Sequence, residues 1–551
     1  MIKKYKFHLL ALLFLIIINL VFYAINLNDF FVSDDFDWLH LTKEQESSIL
    51  NTFGANYYGV RGEGGSYRPL VNLSFWLNHK IGGLNPLSYH LTNLIFHLGV
   101  CFLVYLLVIT LFQNNKDKNK IAILAAVFFS LLPNHSEAVI WIAAIGDPLA
   151  SFFYLLAFYL YLQYRQKQSF LCLIISLLSF ILALLTKEIA ITLPLLILVW
   201  ELCQGILQNK IVITKIVHRH LGYWLVLVLY FCVRYLAIGL VFGYYATEKF
   251  SIDLVKIFNM FIALITNLFF FGQARVNLTQ YFITNKLFFI LILILILSLI
   301  WYLLRKYHYK IAFLFDAYLI LALPVLLLAF NNLSDEGERY NYLPSVIFCI
   351  LLSLLIWQIK KEKIAQYLLI SGLLIYFGGI LIQKNIDWQQ ASHISEKIVK
   401  QEIPKLIDFN NQDQLNVFVA LPDNYQGTQV LRNGIKQAIS LFYHQEIKSE
   451  LLNVYLRLNQ DNWDQNILQW ETYPTGGYLA KTLSAEKWVT GIVNNYTDNY
   501  VYELWDYDYD LYITDKIRLY FQKQFLEKFE QGNLQIIYYD QGTLKKIKTS
   551  Q

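Results

Sequence analysis

Charge is scarce in this chain. Asp, Glu, Lys and Arg make up 15% of its 551 residues, against about 25% in an ordinary soluble domain. Hydrophobic residues make up 56% and lie in long blocks, which excludes a soluble globular protein and points to an integral membrane one. Cysteine supplies no framework either. All five (Cys101, Cys172, Cys203, Cys232 and Cys349) fall inside apolar runs, so none is placed for a disulfide in an aqueous domain. There is no Gly-rich phosphate loop, so nothing asks for a nucleotide. Internal repeats and low-complexity linkers are missing too. The basic start "MIKKYKFH" leads into an apolar run with no small-residue cleavage site. It reads as a retained first span and not as a signal peptide.

What is present is a series of apolar runs near the length that a bilayer demands, roughly 20 residues. Eleven spans are expected, at 8–27, 92–113, 120–133, 148–164, 169–186, 189–206, 221–243, 285–304, 311–330, 344–359 and 366–384. The loops sort by charge. "MIKKYK", "NNKDKNK", "YRQKQ", "QNKIVITKIVHRH", "RKYHYK" and "KKEK" are basic, which marks them as cytoplasmic. The alternate loops carry "SDDFDW", "NHSEAVIWIAAIGD", "TKE" and "SDEGER". Residues 253–272 would break this pattern if they crossed, so they read as an interfacial or re-entrant helix. The N-terminus is then cytoplasmic and the C-terminal tail extracytoplasmic.

From residue 385 the composition changes and charged residues become regular. "LNVFVALP" (415–422) reads as a strand, 429–444 as a helix, and "LQIIYYDQGTLKKIK" as two strands about a turn. The run "NNYTDNYVYELWDYDYD" alternates as a two-faced strand does, and its aromatic faces also suit a sugar. The organisation is a membrane module over 1–384 and an α/β domain over 385–551.

The unusual residues gather in the acidic loops. Asp34, Asp35 and Asp37 open a long first loop, in which Leu70, Leu73, Leu77 and Ile81 recur at helical spacing. His90, Asn93 and His97 put three polar groups on one face of the next helix, either as interhelical hydrogen bonds or facing a cavity. His135, Glu137 and Asp147 follow, then Lys187, Glu188, Arg234 and Arg339. Asp147 precedes Pro148, the usual order of N-cap and first helical residue. Lys187 and Glu188 could pair with each other, and Asp37 reads as a solvated acid. Carboxylates suit general-base work or metal binding, and Lys and Arg suit a phosphate. Together they imply chemistry on a phosphate-bearing substrate embedded in the membrane.

In order along residues 30–390, these pieces resemble the GT-C glycosyltransferases of the protein O-mannosyltransferase branch. The likeness is carried by "DD", "SYRPL", "LNHKIGGLNPLSYHLTNLIFH", "PNHSEAVIWIAAIGDPLA", "LLTKEIAITLP", "ERYNYLPS" and "NIDW". It resembles in particular the transmembrane O-mannosyltransferases that carry tetratricopeptide repeats, together with their bacterial relatives. The repeats are absent, and the α/β domain stands in their place.

The resemblance implies a GT-C helical fold with a long first outer loop. It implies an enzyme that moves a sugar, mannose or a similar one, from a polyprenyl-phosphate carrier to an acceptor hydroxyl with inversion. Asp34 is implied as general base with Asp35 beside it, and Glu137 as the second catalytic acid with His135 orienting acceptor or phosphate. Lys187, Glu188, Arg234, Arg339, Arg68 and His90 are the candidates for binding the substrate and its phosphate. A divalent cation, Mg or Mn, would fall to Asp35 and Glu137. The expected partners are the lipid-linked donor, a protein, glycan or lipid acceptor, and the membrane, with no nucleic acid. The expected location is a bacterial inner membrane. The alternative is a flippase for a lipid-linked sugar. Related halves would favour it, and none is visible.

Overall fold

In the computed structural model the described residues are 2–44, 49–55, 65–207, 212–241, 253–305, 308–326, 337–359, 362–411, 413–451, 454–472, 477–482, 488–490, 494–496, 500–505, 513–514, 516–521 and 534–547. The acids of "SDEGER" before Gly337, and the end of the Tyr/Asp run beyond Trp505, lie outside them.

The protein is a multi-pass helical membrane protein, and among the described residues its strands lie in the C-terminal part. Each of the eleven expected spans contains a helix, but fewer are long enough to cross. Among the described residues eight helices are long and apolar enough, or nine if one bent pair counts as a span. That pair is Lys118–Leu131 and Pro133–Ile140, bent by 56°. Pro133 causes the bend, since it has no N–H to donate and disfavours helical geometry at Leu132. Phe170–Leu184 has 15 residues and Ser345–Ile356 has 12, short of a bilayer core of about 30 Å at about 1.5 Å per residue. The segment at 253–272 holds the 13-residue helix Leu254–Thr266, too short to cross, with Asp253 Oδ1 accepting from the Val255 and Lys256 amides.

Helix starts follow their capping residues. Pro86–Leu111 begins six residues before the apolar run, because Asn85 caps it and Pro86 occupies its first turn. The bundle is knit by close approaches and a few internal hydrogen bonds. A Cβ on Gly99 would sit 2.6 Å from the Phe152 ring, so only glycine lets these two helices meet. Ser176 Oγ donates to the Ala157 carbonyl at 2.6 Å and meets Tyr223 Oη at 2.6 Å. The helix Lys286–Leu304 is only 11% buried over its apolar window, as a lipid-facing helix would be. In Pro69–Gly82, Val71 and Phe75 are buried, while Leu77 and Ile81 are exposed.

The chain forms two compact units. One comprises Met1–Asn28 and Gln45–Asn385, and the other Asp29–Glu44 and Ile386–Gln551. Asp29–Glu44, which the sequence assigns to the membrane module over 1–384, belongs instead to the unit of the C-terminal part. In that unit the strand Leu415–Val419 lies parallel to both Leu534–Asp540 and Ser449–Leu451. Ala420, at φ 55°, turns the chain into the strand Leu421–Tyr425 of a second sheet. Leu534–Asp540 and Thr543–Lys546 form the closing antiparallel hairpin. The helix is shorter than the expected 429–444 and spans Ile435–Tyr443, with Gly434 before it at φ 82°.

Candidate functional site

The acidic segment forms the helix Asp34–Glu44, with Asp34, Asp35 and Asp37 in its first turn. Acids there complement the amide dipoles of a helix start. The three carboxylates face different surroundings. Asp35 is buried, and its Oδ2 accepts from the Val32 amide at 2.9 Å, a reach-back that closes the turn before the helix. Asp34 is half-buried. Its Oδ1 accepts from Asn433 Nδ2 at 2.8 Å and from Ser33 Oγ at 3.4 Å. Among the described residues its Oδ2 has no protein donor, so one oxygen is held and the other is open. Asp37 is not the solvated acid expected of it. Burial, with the Asp34 charge adding to it, pushes its carboxyl up to about 7.

In the helical unit a second group of charges sits at helix ends. Asp147 lies in the first turn of Gly146–Lys167 but makes no cap. Its Oδ1 instead accepts from Lys187 Nζ at 2.5 Å, and its Oδ2 lies 3.8 Å from Arg339 Nε. Burial pulls the Lys187 ammonium below its usual range, and Asp147 opposes that. Arg339 holds Glu137 twice, through Nη1 on Oε1 and through its backbone amide on Oε2 at 3.0 Å. Its guanidinium also stacks on Trp141 at 4.6 Å and on Tyr340 at 5.1 Å. Glu188 does not pair with Lys187. Its Oε2 takes Arg68 at 3.1 and 3.2 Å, and its Oε1 takes Arg234 Nη1 at 3.3 Å.

The network joins four cations (Arg68, Lys187, Arg234, Arg339) and three carboxylates (Glu137, Asp147, Glu188). Arg234 is 1% exposed, and its Nε and Nη2 have no hydrogen-bond partner. Its Nη1 pairs with Glu188 and donates to Tyr230 Oη at 3.2 Å, and an anion within reach of Nε and Nη2 would satisfy the two buried donors left over.

One expected ligand, His135, is occupied by the fold. Both nitrogens of His135 are engaged, Nδ1 with the Phe129 carbonyl at 2.7 Å and Nε2 with Ser345 Oγ at 2.8 Å. It is a strut between helices, with no nitrogen left to orient a phosphate. His90 is 5% exposed and buried in its helix face. Its neighbours Asn93 and His97 tie helices together, through the Trp141 carbonyl at 3.0 Å and Tyr342 Oη at 2.7 Å. Glu338, also in "ERYNYLPS", takes Lys384 Nζ at 2.7 Å.

The proposed Asp35 and Glu137 cation ligands do not suit a metal. Asp35 gives an oxygen to the backbone and Glu137 gives both to Arg339. Among the described residues no three His, Cys, Asp or Glu side chains are gathered as a metal site would need.

Sequence reasoning missed Asn433, Gly434, Trp141 and the Asp147–Lys187 pair. The turn dipeptide Asn433–Gly434 was visible, but nothing local in it points to residues some 400 positions earlier.

No family model matches the chain. Curated proteins do. It is 34% identical over 183 residues to protein O-mannosyl-transferase Tmtc1 of Drosophila melanogaster, covering 32% of this chain and 21% of that one. It is 34% identical over 166 residues to protein O-mannosyl-transferase TMTC3 of Homo sapiens, covering 30% and 18%. Among solved structures, ArnT from Cupriavidus metallidurans in the apo state aligns over 79% of this chain and 89% of that one, with 12% identity and a TM-score of 0.48. The matched stretch spans about a fifth of the length of the first two relatives, and over about a third of its own length the chain is similar to protein O-mannosyl-transferases.

Proposed function

We propose that this protein is a membrane glycosyltransferase that moves a sugar from a polyprenyl-phosphate carrier to an acceptor hydroxyl on the extracytoplasmic side. The observation that carries the phosphate-bearing substrate is Arg234, buried with two guanidinium nitrogens that have no hydrogen-bond partner, beside Arg68, Lys187 and Arg339. The transfer class rests on the partial similarity to protein O-mannosyl-transferases. The names of those relatives make mannose and a protein hydroxyl the first donor and acceptor to try.

In this reading Asp34 is the general base. Its open Oδ2 takes the proton of the acceptor hydroxyl. The acceptor oxygen bonds to the anomeric carbon from the face opposite the phosphate, and the bond from that carbon to the phosphate oxygen breaks. Its electron pair leaves on the carrier phosphate, so configuration inverts. Arg234, with Arg68, Lys187 and Arg339 around it, is proposed to take the charge that grows on that phosphate. Glu137 holds Arg339 in place and does not itself react. No step runs through a metal.

The test supplies purified protein in detergent with radiolabelled polyprenyl-phosphate mannose, then with glucose, arabinose and galactosamine versions, and a membrane-extract acceptor pool. Release of free polyprenyl phosphate with label appearing in the acceptor supports the reading. Movement of intact donor across liposomes, with no turnover of any donor, overturns it in favour of a flippase.

A further inference from the structure

We propose that the C-terminal unit is the positioning device of the acidic segment, with Asn433 orienting the Asp34 carboxylate. The proposal rests on the reading of Asp34 as base.

The segment is clamped along its length by residues of the C-terminal unit. Ahead of the acids, the Phe30 amide donates to Ser392 Oγ, and Ser395 Oγ donates to the Phe31 carbonyl at 2.7 Å. The Ser33 amide donates to the Val430 carbonyl at 2.8 Å. Phe442, on the helix Ile435–Tyr443, packs on Phe30 at 5.3 Å and Phe36 at 6.5 Å between ring centres. Lys400 Nζ lies 4.6 Å from the centre of the Phe30 ring. At the far end Lys43 Nζ meets His444 Nδ1 at 3.2 Å.

Gly434 makes this fit possible on two counts. Its φ of 82° favours glycine. A Cβ there would also stand 2.6 Å from the Ser33 carbonyl oxygen and 2.9 Å from Phe36 Cβ. Any other residue pushes the acidic turn away.

Asn433 precedes that glycine, and the approach delivers its amide to Asp34 at 2.8 Å. A carboxylate accepts and only the amide nitrogen donates, so the amide's orientation is settled by chemistry. The bond fixes Oδ1 and turns Oδ2 outward, the oxygen that the mechanism needs. Asn433 itself is exposed, so the fold does not depend on its side chain. It is a positioning residue and touches no reacting atom.

The experiment compares wild type, Asn433→Asp, Asn433→Gln, Gly434→Ala and Asp34→Asn in full-length protein. Three readouts are taken: donor turnover, apparent Tm, and hydrogen–deuterium exchange of the amides in 29–44. Asn433→Asp keeps the shape but sets a second carboxylate against Asp34. We expect kcat to fall about tenfold to a hundredfold, with KM for the donor and the apparent Tm unchanged, and the acid limb of the pH profile moved to higher pH. Asn433→Gln retains the amide donor and recovers part of kcat. Gly434→Ala speeds exchange across 29–44 and leaves the apolar helices unchanged.

Wild-type kcat in Asn433→Asp, alongside an inactive Asp34→Asn, overturns the role of Asn433 and leaves the transferase reading standing. A wild-type protein that turns over no donor overturns that reading and the role of Asn433 with it. Unchanged exchange of 29–44 in Gly434→Ala overturns the positioning role of the C-terminal unit, whatever the activity.

Discussion

Asp37 gives the sharpest test of the electrostatics of the acidic helix. Its carboxyl titrates near 7, chiefly because it is buried and secondly because Asp34 lies close in charge. A group held above its unfolded value of 3.8 contributes stability that is fully present below that value. The contribution is lost as pH rises through the folded value near 7. Asn cannot ionise, so Asp37→Asn removes this dependence and retains the shape. A carboxyl titrating near 7 instead of near 4 corresponds to about 4 kcal/mol between its protonation states. Asp37 is only half-buried, so solvent screening reduces the expected effect to about 1–2 kcal/mol. The assay is the apparent Tm of the detergent-solubilised protein between pH 3.5 and 9. Wild type should lose stability relative to Asp37→Asn as pH rises from about 4 to about 7, between the unfolded and folded values, with the difference constant above about pH 8. At the lowest pH the two should melt together. Parallel curves over the whole range would refute the reasoning, and so would a difference that grows toward low pH.

Three other perturbations probe the helical unit. Arg339→Met leaves Glu137 buried without its partner, and should lower stability by about 3–5 kcal/mol. Adding Glu137→Gln should restore part of that loss, read as coupling in a double-mutant cycle of thermal shifts. Arg234→Met leaves Glu188 with Arg68 as partner. It should raise KM for a polyprenyl-phosphate donor about tenfold or more, with the helical content by circular dichroism unchanged. Asn93→Leu removes the bond to the Trp141 carbonyl, and should cost about 0.5–1.5 kcal/mol by thermal shift without altering donor KM.

Much of the helical unit was legible because a bilayer imposes its own length and charge rules. Each apolar run contains a helix. The shortfall in crossing helices comes from local breaks such as Pro133, and from short apolar helices such as Ser345–Ile356. The cations were legible as a set, since Lys and Arg at the ends of apolar runs stand out by scarcity. Their pairing was not. Lys187 and Glu188 are adjacent in sequence, yet they point to different partners: Asp147 for one, Arg68 and Arg234 for the other. Neighbours in sequence here sit at a helix start, where successive side chains diverge. His135 looked like a ligand because histidine in an apolar run is unusual, but two hydrogen bonds between helices account for it. The membership of Asp29–Glu44 in the C-terminal unit could not be read at all. It depends on pairings across some 400 residues, such as Ser33 with Val430, that leave no local periodic signal.

The central claim is that Asp34 is the base of a sugar transfer from a lipid phosphate. The most direct measurement is the turnover of a radiolabelled polyprenyl-phosphate sugar by wild type and by Asp34→Asn under identical conditions. Asn keeps the size and removes the base, so turnover should fall by at least about 100-fold with donor binding retained. Turnover unchanged in the variant would contradict the claim and move the base away from the acidic helix.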